Sequence, residues 1–283
     1  MALVVALLVA ASGTEAEASE VIVCYVDAVD FGGTPAGDGY WVLHDHGDAQ
    51  TFGGATSFGG PQQSGYELSG AAVAFASTTS GKGYWTAAAD GGVFTHGDAG
   101  FFGSAAALRL NQPIVDLEPA PDGRGYWLLA ADGGVFSFGT ARFAGSATNA
   151  AAVKFVAMQV TASGDGYWLA RADGAVFPFG DADTRLGPAS TIRGLRAPIV
   201  GMAATHDRTG LWLAAADGGV FTFGAAFHGS AADTRLNKPI VAIGATADDG
   251  GYWLLAEDGG VFTFGNARFH GATPHPFEDP RCG

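Results

Sequence analysis

The chain has 283 residues, 48% of them hydrophobic, which argues against a largely disordered protein and allows a single domain with a sizeable core. Acidic residues outnumber basic ones by 28 to 14, and the formal net charge is −14. A surface with this charge repels nucleic acids and anionic lipids, so we expect neither as a partner.

The first element of the chain is an apolar segment at residues 1–18, "MALVVALLVAASGTEAEA". Its apolar run is too short to cross a bilayer. It resembles the core of a secretory signal, with Ala16 and Ala18 at the small-residue positions before a cleavage site. The basic residues that normally precede such a core are missing, so a packed N-terminal strand is the alternative. We predict a signal peptide, a secreted or cell-surface location and no membrane insertion.

Six copies of one repeat fill most of the remaining chain. Each copy begins with a glycine, an aromatic residue or leucine, and a tryptophan, and the copies recur at intervals of 41 to 44 residues. The starting glycines are Gly39, Gly83, Gly125, Gly166, Gly210 and Gly251. All six tryptophans of the chain occupy this one position, which indicates one structural unit per repeat.

Each repeat contains the pattern of four short strands. In the last copy these are "PIVAIGATADD", "GYWLLAE", "VFTFG" and "RFHGA", and "DGG" forms a two-residue hairpin turn between the second and the third. Four strands in a period of this length are typical of a propeller blade. We therefore predict an all-β, six-bladed β-propeller with four antiparallel strands per blade over residues 19–272, followed by a tail at 273–283.

Aligning the repeats identifies the strand nearest the propeller axis. Its first apolar residue lies eleven positions before the starting glycine in five copies, and Ile22 fits the first copy if six extra residues are allowed. Two positions further on, small residues predominate: Cys24, Ala74, Ala157, Gly201 and Ala242. Asp116 interrupts this column, and Glu118 and Gln159 occupy the next position on the same face.

The two cysteines lie near opposite ends of the chain. Cys24 falls on the predicted inner strand of the first blade and Cys282 falls in the tail. Each repeat holds all its own strands, so no borrowed strand closes the ring, and a Cys24–Cys282 disulfide would lock it. Two free thiols are the alternative.

Residues 125–146, "GYWLLAADGGVFSFGTARFAGS", resemble the tandem repeats of secreted actinobacterial proteins. The glycine, tryptophan, Asp-Gly and phenylalanine positions all match, and the resemblance extends from Cys24 to about Ala272. The first and fourth copies depart from the pattern, with "HDHGDAQTFGG" and "FGDADTRLGPA". The resemblance implies a propeller fold and export, but no activity and no catalytic residues.

No sequence motif for nucleophilic catalysis, phosphate binding or zinc hydrolysis is present. If the protein is an enzyme, a hydrolase or lyase at the channel mouth, we expect it to use Asp116, Glu118 and His44. Asp116 and Glu118 share one strand face about 6.5–7 Å apart, a separation that glycoside hydrolysis allows. A hydrated acidic channel lining is the alternative interpretation.

Metal binding has two candidate sites. In "HDHGD", His44 and His46 could meet one ion together with Asp48, or they could simply form an exposed turn. The aspartates of the "DGG" turns could bind calcium, but their turn position explains them without a metal. We expect no cofactor, with calcium as the alternative.

Binding is the function that the repeats favour. The loops between blades twice contain Arg-Leu-Asn, giving Arg109, Asn111, Arg235 and Asn237 as candidate ligand contacts; capping of the loop is the alternative. The tryptophans could instead offer stacking faces to sugars, although a core role is expected. We predict an exported, non-enzymatic module that binds a glycan, a cell-wall polymer or an extracellular protein. An enzyme and a structural spacer are the alternatives.

Overall fold

The computed structural model describes residues 26–61, 68–148, 153–186 and 192–273. Its strands are β1 (Ala28–Gly33), β2 (Gly39–His44), β3 (Ala49–Gly53), β4 (Ala72–Ser77), β5 (Gly83–Ala88), β6 (Val93–Gly97), β7 (Ile114–Pro119), β8 (Gly125–Ala130), β9 (Val135–Gly139), β10 (Phe155–Val160), β11 (Tyr167–Arg171), β12 (Val176–Phe179), β13 (Ile199–Ala204), β14 (Leu211–Ala215), β15 (Val220–Phe223), β16 (Ile240–Ala245), β17 (Gly251–Ala256) and β18 (Val261–Gly265). None of these ranges contains a helix, so the predicted all-β class is confirmed for them. In particular, no helix long and apolar enough to cross a membrane is found in the described residues.

The described strands form six antiparallel sheets of three strands, and each sheet comes from one sequence repeat. We number them sheet 1 (β1–β2–β3) to sheet 6 (β16–β17–β18) in chain order. In every sheet the "GYW" strand lies in the middle, paired on one side with the strand before it and on the other with the strand after it. The hairpin order predicted from the repeat is therefore confirmed for three strands.

The predicted fourth strand of each blade is wrong for the described residues. The stretch after each third strand, which we call the outer segment, is not part of any sheet; residues 98–105 are an example. Four outer segments contain a glycine at a φ of 131–139°, a conformation that other residues rarely adopt: Gly103, Gly145, Gly229 and Gly271. Their carbonyl groups bond to a tyrosine of the next sheet and not to the third strand of their own sheet.

The six sheets form a closed ring, because each first strand packs against the first strands of two other sheets, and β1 packs against β16. Backbone hydrogen bonds repeat at every junction: the first residue of each first strand donates to a turn carbonyl of the preceding sheet, at 2.7–2.9 Å. Ala28 makes this bond to Glu257, so the junction that joins the last sheet to the first is built like the other five.

Tryptophan and tyrosine side chains of the middle strands fill the space between neighbouring sheets. All six tryptophans and the five tyrosines beside them are at most 2% exposed. Trp41 stacks on Phe75 of the next sheet with 5.8 Å between ring centroids. Each indole nitrogen also donates to a carbonyl of its own outer segment, as Trp127 does to Arg142 at 2.9 Å. The tryptophans are therefore core residues, and their faces are not available to sugars.

The predicted position of the first inner strand is also wrong. Ala28, not Ile22, leads this strand, and it pairs with His44 just as Ile114 pairs with Ala130 in sheet 3. Ala28 lies eleven residues before the starting glycine, so no insertion is needed. Asp30 consequently occupies the column that we had assigned to Cys24. The proposed disulfide partners, the signal peptide and all but the first residue of the tail lie outside the described residues.

The ring has two faces. The upper face carries the turns between first and second strands, at residues 34–38, 78–82, 120–124, 161–165, 205–209 and 246–250. The lower face carries the turns between second and third strands, at 45–48, 89–92, 131–134, 172–175, 216–219 and 257–260, together with the loops that lead to the next sheet.

The lower turns are one residue longer than predicted. Ala88 bonds to Gly92 across the strands and Gly91 bonds back to Ala88, which makes a three-residue turn. Only the first glycine of the "DGG" motif has a positive φ, which is 89° at Gly91.

Candidate functional site

The first strands surround a central cavity of about 470 Å³, and the residues that line it are unevenly distributed. Sheets 2, 5 and 6 contribute small residues, including Ala76, Gly201 and Ala242. Sheets 1, 3 and 4 contribute long polar ones: Asp30, Asp116, Glu118 and Gln159. The polar residues of sheets 3 and 4 are neighbours in the ring, and they continue to Arg208 on the upper face.

Asp30 and Asp116 each connect two sheets. Both lie just after a β-bulge in the first strand, where the register shifts by one residue. Asp30 accepts N–H bonds from Phe31 at 2.8 Å and from Phe75 of sheet 2 at 2.7 Å. Asp116 accepts the equivalent bonds from Leu117 at 2.8 Å and from Met158 of sheet 4 at 2.6 Å. Both oxygens of each carboxylate are thus engaged with backbone, which indicates a structural role.

Glu118, Gln159 and Arg208 form a polar chain that crosses from sheet 3 to sheet 5. The amide nitrogen of Gln159 donates to Glu118 Oε1. The amide oxygen of Gln159 accepts from Arg208 Nη1 at 2.8 Å and from the Ala204 N–H at 3.2 Å. Glu118 is therefore held in place through Gln159, and no residue of the described ranges donates a hydrogen bond to its second carboxyl oxygen.

The carboxyl groups that line the central cavity resist ionisation. Burial, reinforced by the Asp116 charge, raises the pKa of Asp30 to about 8. Burial and the same charge raise the pKa of Glu118 to about 8, against the opposing effect of Arg208. Burial raises the pKa of Asp116 to about 6. At neutral pH the central cavity therefore contains the carboxylic acids of Asp30 and Glu118 as well as the carboxylate of Asp116.

Arg208 has an unusual backbone conformation. Its φ is 58°, in the left-handed region, and four other sheets have a glycine at this turn position: Gly37, Gly81, Gly123 and Gly164. Left-handed geometry costs a non-glycine residue about 1–2 kcal/mol. Such strain persists where surrounding contacts compensate for it, here the bond from Arg208 to Gln159.

The three residues predicted for an enzyme do not converge. Asp116 and Glu118 both line the central cavity, whereas His44 does not and lies at the end of β2 by the lower face. Asp30 was missed because we allowed an insertion in the first repeat. Counting eleven residues back from Gly39 without a gap finds it.

The "HDHGD" stretch is a partly buried turn and not an exposed one. The His44 and His46 rings lie 5.7 Å apart and nearly parallel, and His44 Nε2 is 3.3 Å from Gln50 Oε1. His46 lies 3.6 Å from Asp45 and 3.7 Å from Asp48. Burial opposes protonation of His46, but these two carboxylates outweigh it and raise its pKa to about 9. Burial lowers the pKa of His44.

Metal-binding geometry is not found in the ranges that the structure describes: no three His, Cys, Asp or Glu side chains there are arranged to hold an ion. The aspartates of the lower turns use a carboxylate oxygen to cap the turn itself. Asp90, Asp132, Asp217 and Asp258 each accept the N–H two residues later at 2.9–3.1 Å. These aspartates therefore have a structural role in the turn.

The four predicted binding residues lie in two equivalent loops of the lower face. Leu110 and Leu236 pack against the buried clusters of their junctions. Their neighbours in sequence, Arg109 and Asn111 in one loop and Arg235 and Asn237 in the other, are exposed. A shallow cleft of about 390 Å³ lies beside Asn111, between Asp90, Leu108 and Pro113. Leucine anchors each loop, and the polar side chains on either side of it face solvent.

Sequence reasoning missed a second exposed set. Phenylalanines of four outer segments are 59–62% exposed: Phe101, Phe143, Phe227 and Phe269. They recur at one position of the repeat, but periodicity alone does not distinguish an exposed aromatic column from a buried one. Isolated exposed aromatics are common on protein surfaces and carry no functional conclusion alone.

Among solved structures, the chain is similar to the β-propeller domain of Cps50 (Swd1) from Myceliophteria thermophila. The TM-score is 0.55, and the alignment covers 87% of this chain and 98% of the other. The fold is a β-propeller. The sequence identity is 10%, so the similarity extends to the fold alone.

No protein-family model matches this propeller, and the search of curated proteins finds no match. The resemblance to actinobacterial repeat proteins therefore stays a prediction from the repeat itself.

Proposed function

We propose that this propeller is an exported binding module, secreted or at the cell surface, that holds a glycan, a cell-wall polymer or an extracellular protein through its lower-face loops. The observation that carries the proposal is that the arginine and asparagine side chains of both Arg-Leu-Asn motifs are exposed. Within the described residues, Arg109, Asn111, Arg235 and Asn237 make no side-chain hydrogen bond or ion pair, so the turn-capping alternative lacks support.

The chemistry of these side chains suits a hydrated partner. A guanidinium presents five N–H donors in a fixed plane, and an amide supplies both a donor and an acceptor. Hydroxyl, acetamido and carboxylate groups of a polysaccharide complement this set. The two leucine anchors limit the freedom of the loops, which reduces the entropy lost on binding.

The position of the two loops favours a polymer over a small ligand. One loop leads from sheet 2 to sheet 3 and the other from sheet 5 to sheet 6, so they lie half a turn of the ring apart on the same face. Once a polymer is bound to one loop, the second loop contacts it at a high effective concentration, and the overall affinity increases. A small molecule contacts only one loop and has no such gain in affinity.

Retention on purified cell-wall polymer and on a glycan array tests the proposal. We expect Arg109→Ala and Arg235→Ala each to weaken retention and the double variant to lose most of it. The matched control is Arg124→Ala, which removes an exposed arginine from the upper face. Binding by the double variant as strong as that of the wild type, or equal losses in the control, contradicts the assignment. Capture of a protein from culture supernatant, abolished by the same double variant, identifies a protein partner instead.

A hydrolase or lyase is the second candidate, and Glu118 is the observation that favours it. With a pKa of about 8, this group is largely protonated at neutral pH and can serve as a general acid. Asp116 is a poor second group because both its oxygens accept backbone N–H bonds. Turnover of a glycan or peptide by the wild type, lost in Glu118→Gln with the fold intact, establishes the enzyme. We expect no turnover.

A further inference from the structure

A ring of six valines surrounds the lower end of the central cavity. Each first strand contributes its second residue, which directly follows the residue whose N–H bonds to a lower turn of the preceding sheet. These residues all line the cavity: Val29, Val73, Val115, Val156, Val200 and Val241. Valine occupies this position in all six sheets, so the lower end of the cavity is uniformly apolar.

The other end of the cavity is polar and reaches the upper face. Thr34, Thr79 and His206, all from upper-face turns, line it there. No lower-turn residue of the described ranges lines the cavity. Val115 and Glu118 are three residues apart on β7, which is about 10 Å along the strand. A ligand that enters from the upper face therefore passes Glu118 before it meets the valine ring.

Acidic groups outnumber basic ones in the cavity. Asp30, Asp116 and Glu118 line it, together with a single arginine. The guanidinium of that arginine, Arg208, bonds to the amide of Gln159, and the described ranges contain no ion pair between it and a carboxylate. A buried carboxylate without a cationic partner is costly, and protonation relieves that cost. A ligand that supplies the missing positive charge relieves it equally well.

Glu118 is the carboxyl group that is placed to receive such a ligand. Both carboxyl oxygens of Asp30 and of Asp116 already accept backbone N–H bonds. Glu118 is enclosed by protein except toward the cavity, and only its Oε1 accepts a hydrogen bond from the described residues. Its Oε2 is therefore an enclosed acceptor that the N–H group of a ligand can satisfy.

The arrangement suits an organic ammonium ion better than a metal ion. A metal needs several ligand atoms around one centre, and the described ranges hold no three His, Cys, Asp or Glu side chains arranged in that way. A primary ammonium needs fewer partners, because each of its N–H groups donates to one acceptor. An attached alkyl chain can extend past the small residues Gly201 and Ala242 to the valine ring.

We propose that the central cavity binds a primary ammonium ion with a short alkyl chain, with the ammonium on Glu118 Oε2 and the chain against the valine ring. This site is separate from the lower-face loops of the proposed function and is entered from the opposite face. It requires no reaction of the bound amine.

Isothermal titration calorimetry with n-butylammonium tests this site. We expect saturable binding that is about tenfold or more weaker in Glu118→Gln, which keeps the shape of the side chain but removes its charge. Glu257→Gln is the matched control, because it makes the same change at a carboxylate of the lower face that pairs with Lys238 at 3.4 Å. Ethylammonium is expected to bind several-fold more weakly than butylammonium, because it buries less of an alkyl chain against the valines. Circular dichroism verifies that each variant folds.

The pH dependence of binding gives a readout that needs no variant. Glu118 loses its proton near pH 8 under the influence of Asp116, Arg208 and Asp30, with His206 at the cavity mouth, whereas the ammonium keeps its proton at that pH. The carboxylate binds the cation more tightly than the neutral acid does, so we expect the affinity to rise from pH 6 to pH 8. Binding at pH 7 is expected to release protons, which titrations in buffers of different ionisation enthalpy measure.

The proposal is overturned if butylammonium shows no saturable binding, if Glu118→Gln binds it as tightly as Glu257→Gln, or if binding releases no protons. Equal affinity for n-butanol also overturns it, because the cavity then selects the chain and not the charge. Equal affinity for tetramethylammonium, which has no N–H donor, attributes binding to the net charge of −14 alone. The Arg109→Ala, Arg235→Ala double variant is expected to bind butylammonium unchanged, and loss of binding in that variant alone places the cation at the lower face.

Discussion

The phenol of Tyr40 donates a 2.5 Å hydrogen bond to the carbonyl oxygen of Gly271, which joins sheet 1 to the outer segment of sheet 6. The backbone N–H of His270 donates to the same phenol oxygen at 3.2 Å. Tyr126 makes the same pair of contacts with Gly103 and Phe102 inside the chain. The junction that closes the ring therefore uses the same tyrosine–glycine contact as the junctions inside the chain.

Replacing this tyrosine tests how much the contact contributes. Tyr40→Phe keeps the ring in the core but leaves the Gly271 carbonyl and the His270 N–H without their partner. We expect the free energy of unfolding to fall by about 1–3 kcal/mol, measured by urea denaturation. Tyr126→Phe is the matched variant at an interior junction and is expected to cost a similar amount. An unchanged stability in both variants contradicts a stabilising role for the contact.

The raised pKa values predict that stability falls as pH rises. Asp30 and Glu118 titrate near pH 8 in the folded protein, whereas in the unfolded chain they lose their protons in the ordinary carboxyl range. Between these pH values the folded state binds more protons, so the free energy of unfolding decreases as pH rises from about 4 to 8. His46, with its pKa raised to about 9, acts in the same direction between about pH 6.5 and 9.

Thermal unfolding between pH 5 and 9 measures this dependence. We expect the melting temperature to decrease with pH, and the decrease to be shallower in Glu118→Gln, which removes one titrating group. A melting temperature that rises from pH 5 to 8, or an unchanged slope in the variant, contradicts the assignment of these carboxyl groups.

The left-handed backbone at Arg208 can be tested with two substitutions. Arg208→Ala and Arg208→Gly both remove the bond to Gln159, but only glycine adopts a φ of 58° without strain. We expect the glycine variant to be more stable than the alanine variant by about 1 kcal/mol in urea denaturation. Equal stability of the two variants indicates that the turn relaxes when the arginine is removed.

Gly103 and Gly123 compare a crowded glycine at a φ of 133° with an uncrowded one at a φ of 68°. A Cβ at Gly103 lies 2.6 Å from Phe138, whereas at Gly123 it meets no atom within 4 Å, although φ is positive at both positions. Gly123→Ala is expected to cost about 1 kcal/mol through strain alone. Gly103→Ala is expected to cost more, because overpacking adds about 1–3 kcal/mol and because a φ of 133° is less accessible to alanine than a φ of 68°. The midpoints of urea denaturation measure the loss of stability in each variant. An equal loss in both argues against close packing of the outer segment.

The sequence predicted the parts of the fold that recur in every repeat. Gly, Trp and Asp-Gly at fixed spacing were enough to locate the middle strand and the turn after it. The outer segment was assigned as a strand because "RFHGA" has a strand-like composition. Its hydrogen bonds go to a tyrosine of the next sheet, a contact that the composition of one repeat does not reveal.

The candidate sites were less accessible to prediction. Arg109, Asn111, Arg235 and Asn237 stood out because the same motif occurs twice, and their exposure is consistent with that interpretation. Asp30 was not identified because the alignment of the first repeat included six extra residues that the structure does not require. The apolar junction between sheets 4 and 5 depends on Leu186 and Leu211 together, two leucines from different repeats whose proximity only the folded ring creates.

The Tyr40–Gly271 contact also has a consequence for the order of folding. The other tyrosine–glycine bonds join residues 22 to 25 positions apart, whereas this one joins residues 231 apart. Closing the longer loop costs about 2 kcal/mol more chain entropy. The sheets can therefore assemble as an open arc before its ends meet. Until they meet, the first and last sheets present complementary surfaces to a second arc, so slow closure at high concentration favours dimers in which the end sheets of two chains pack against each other.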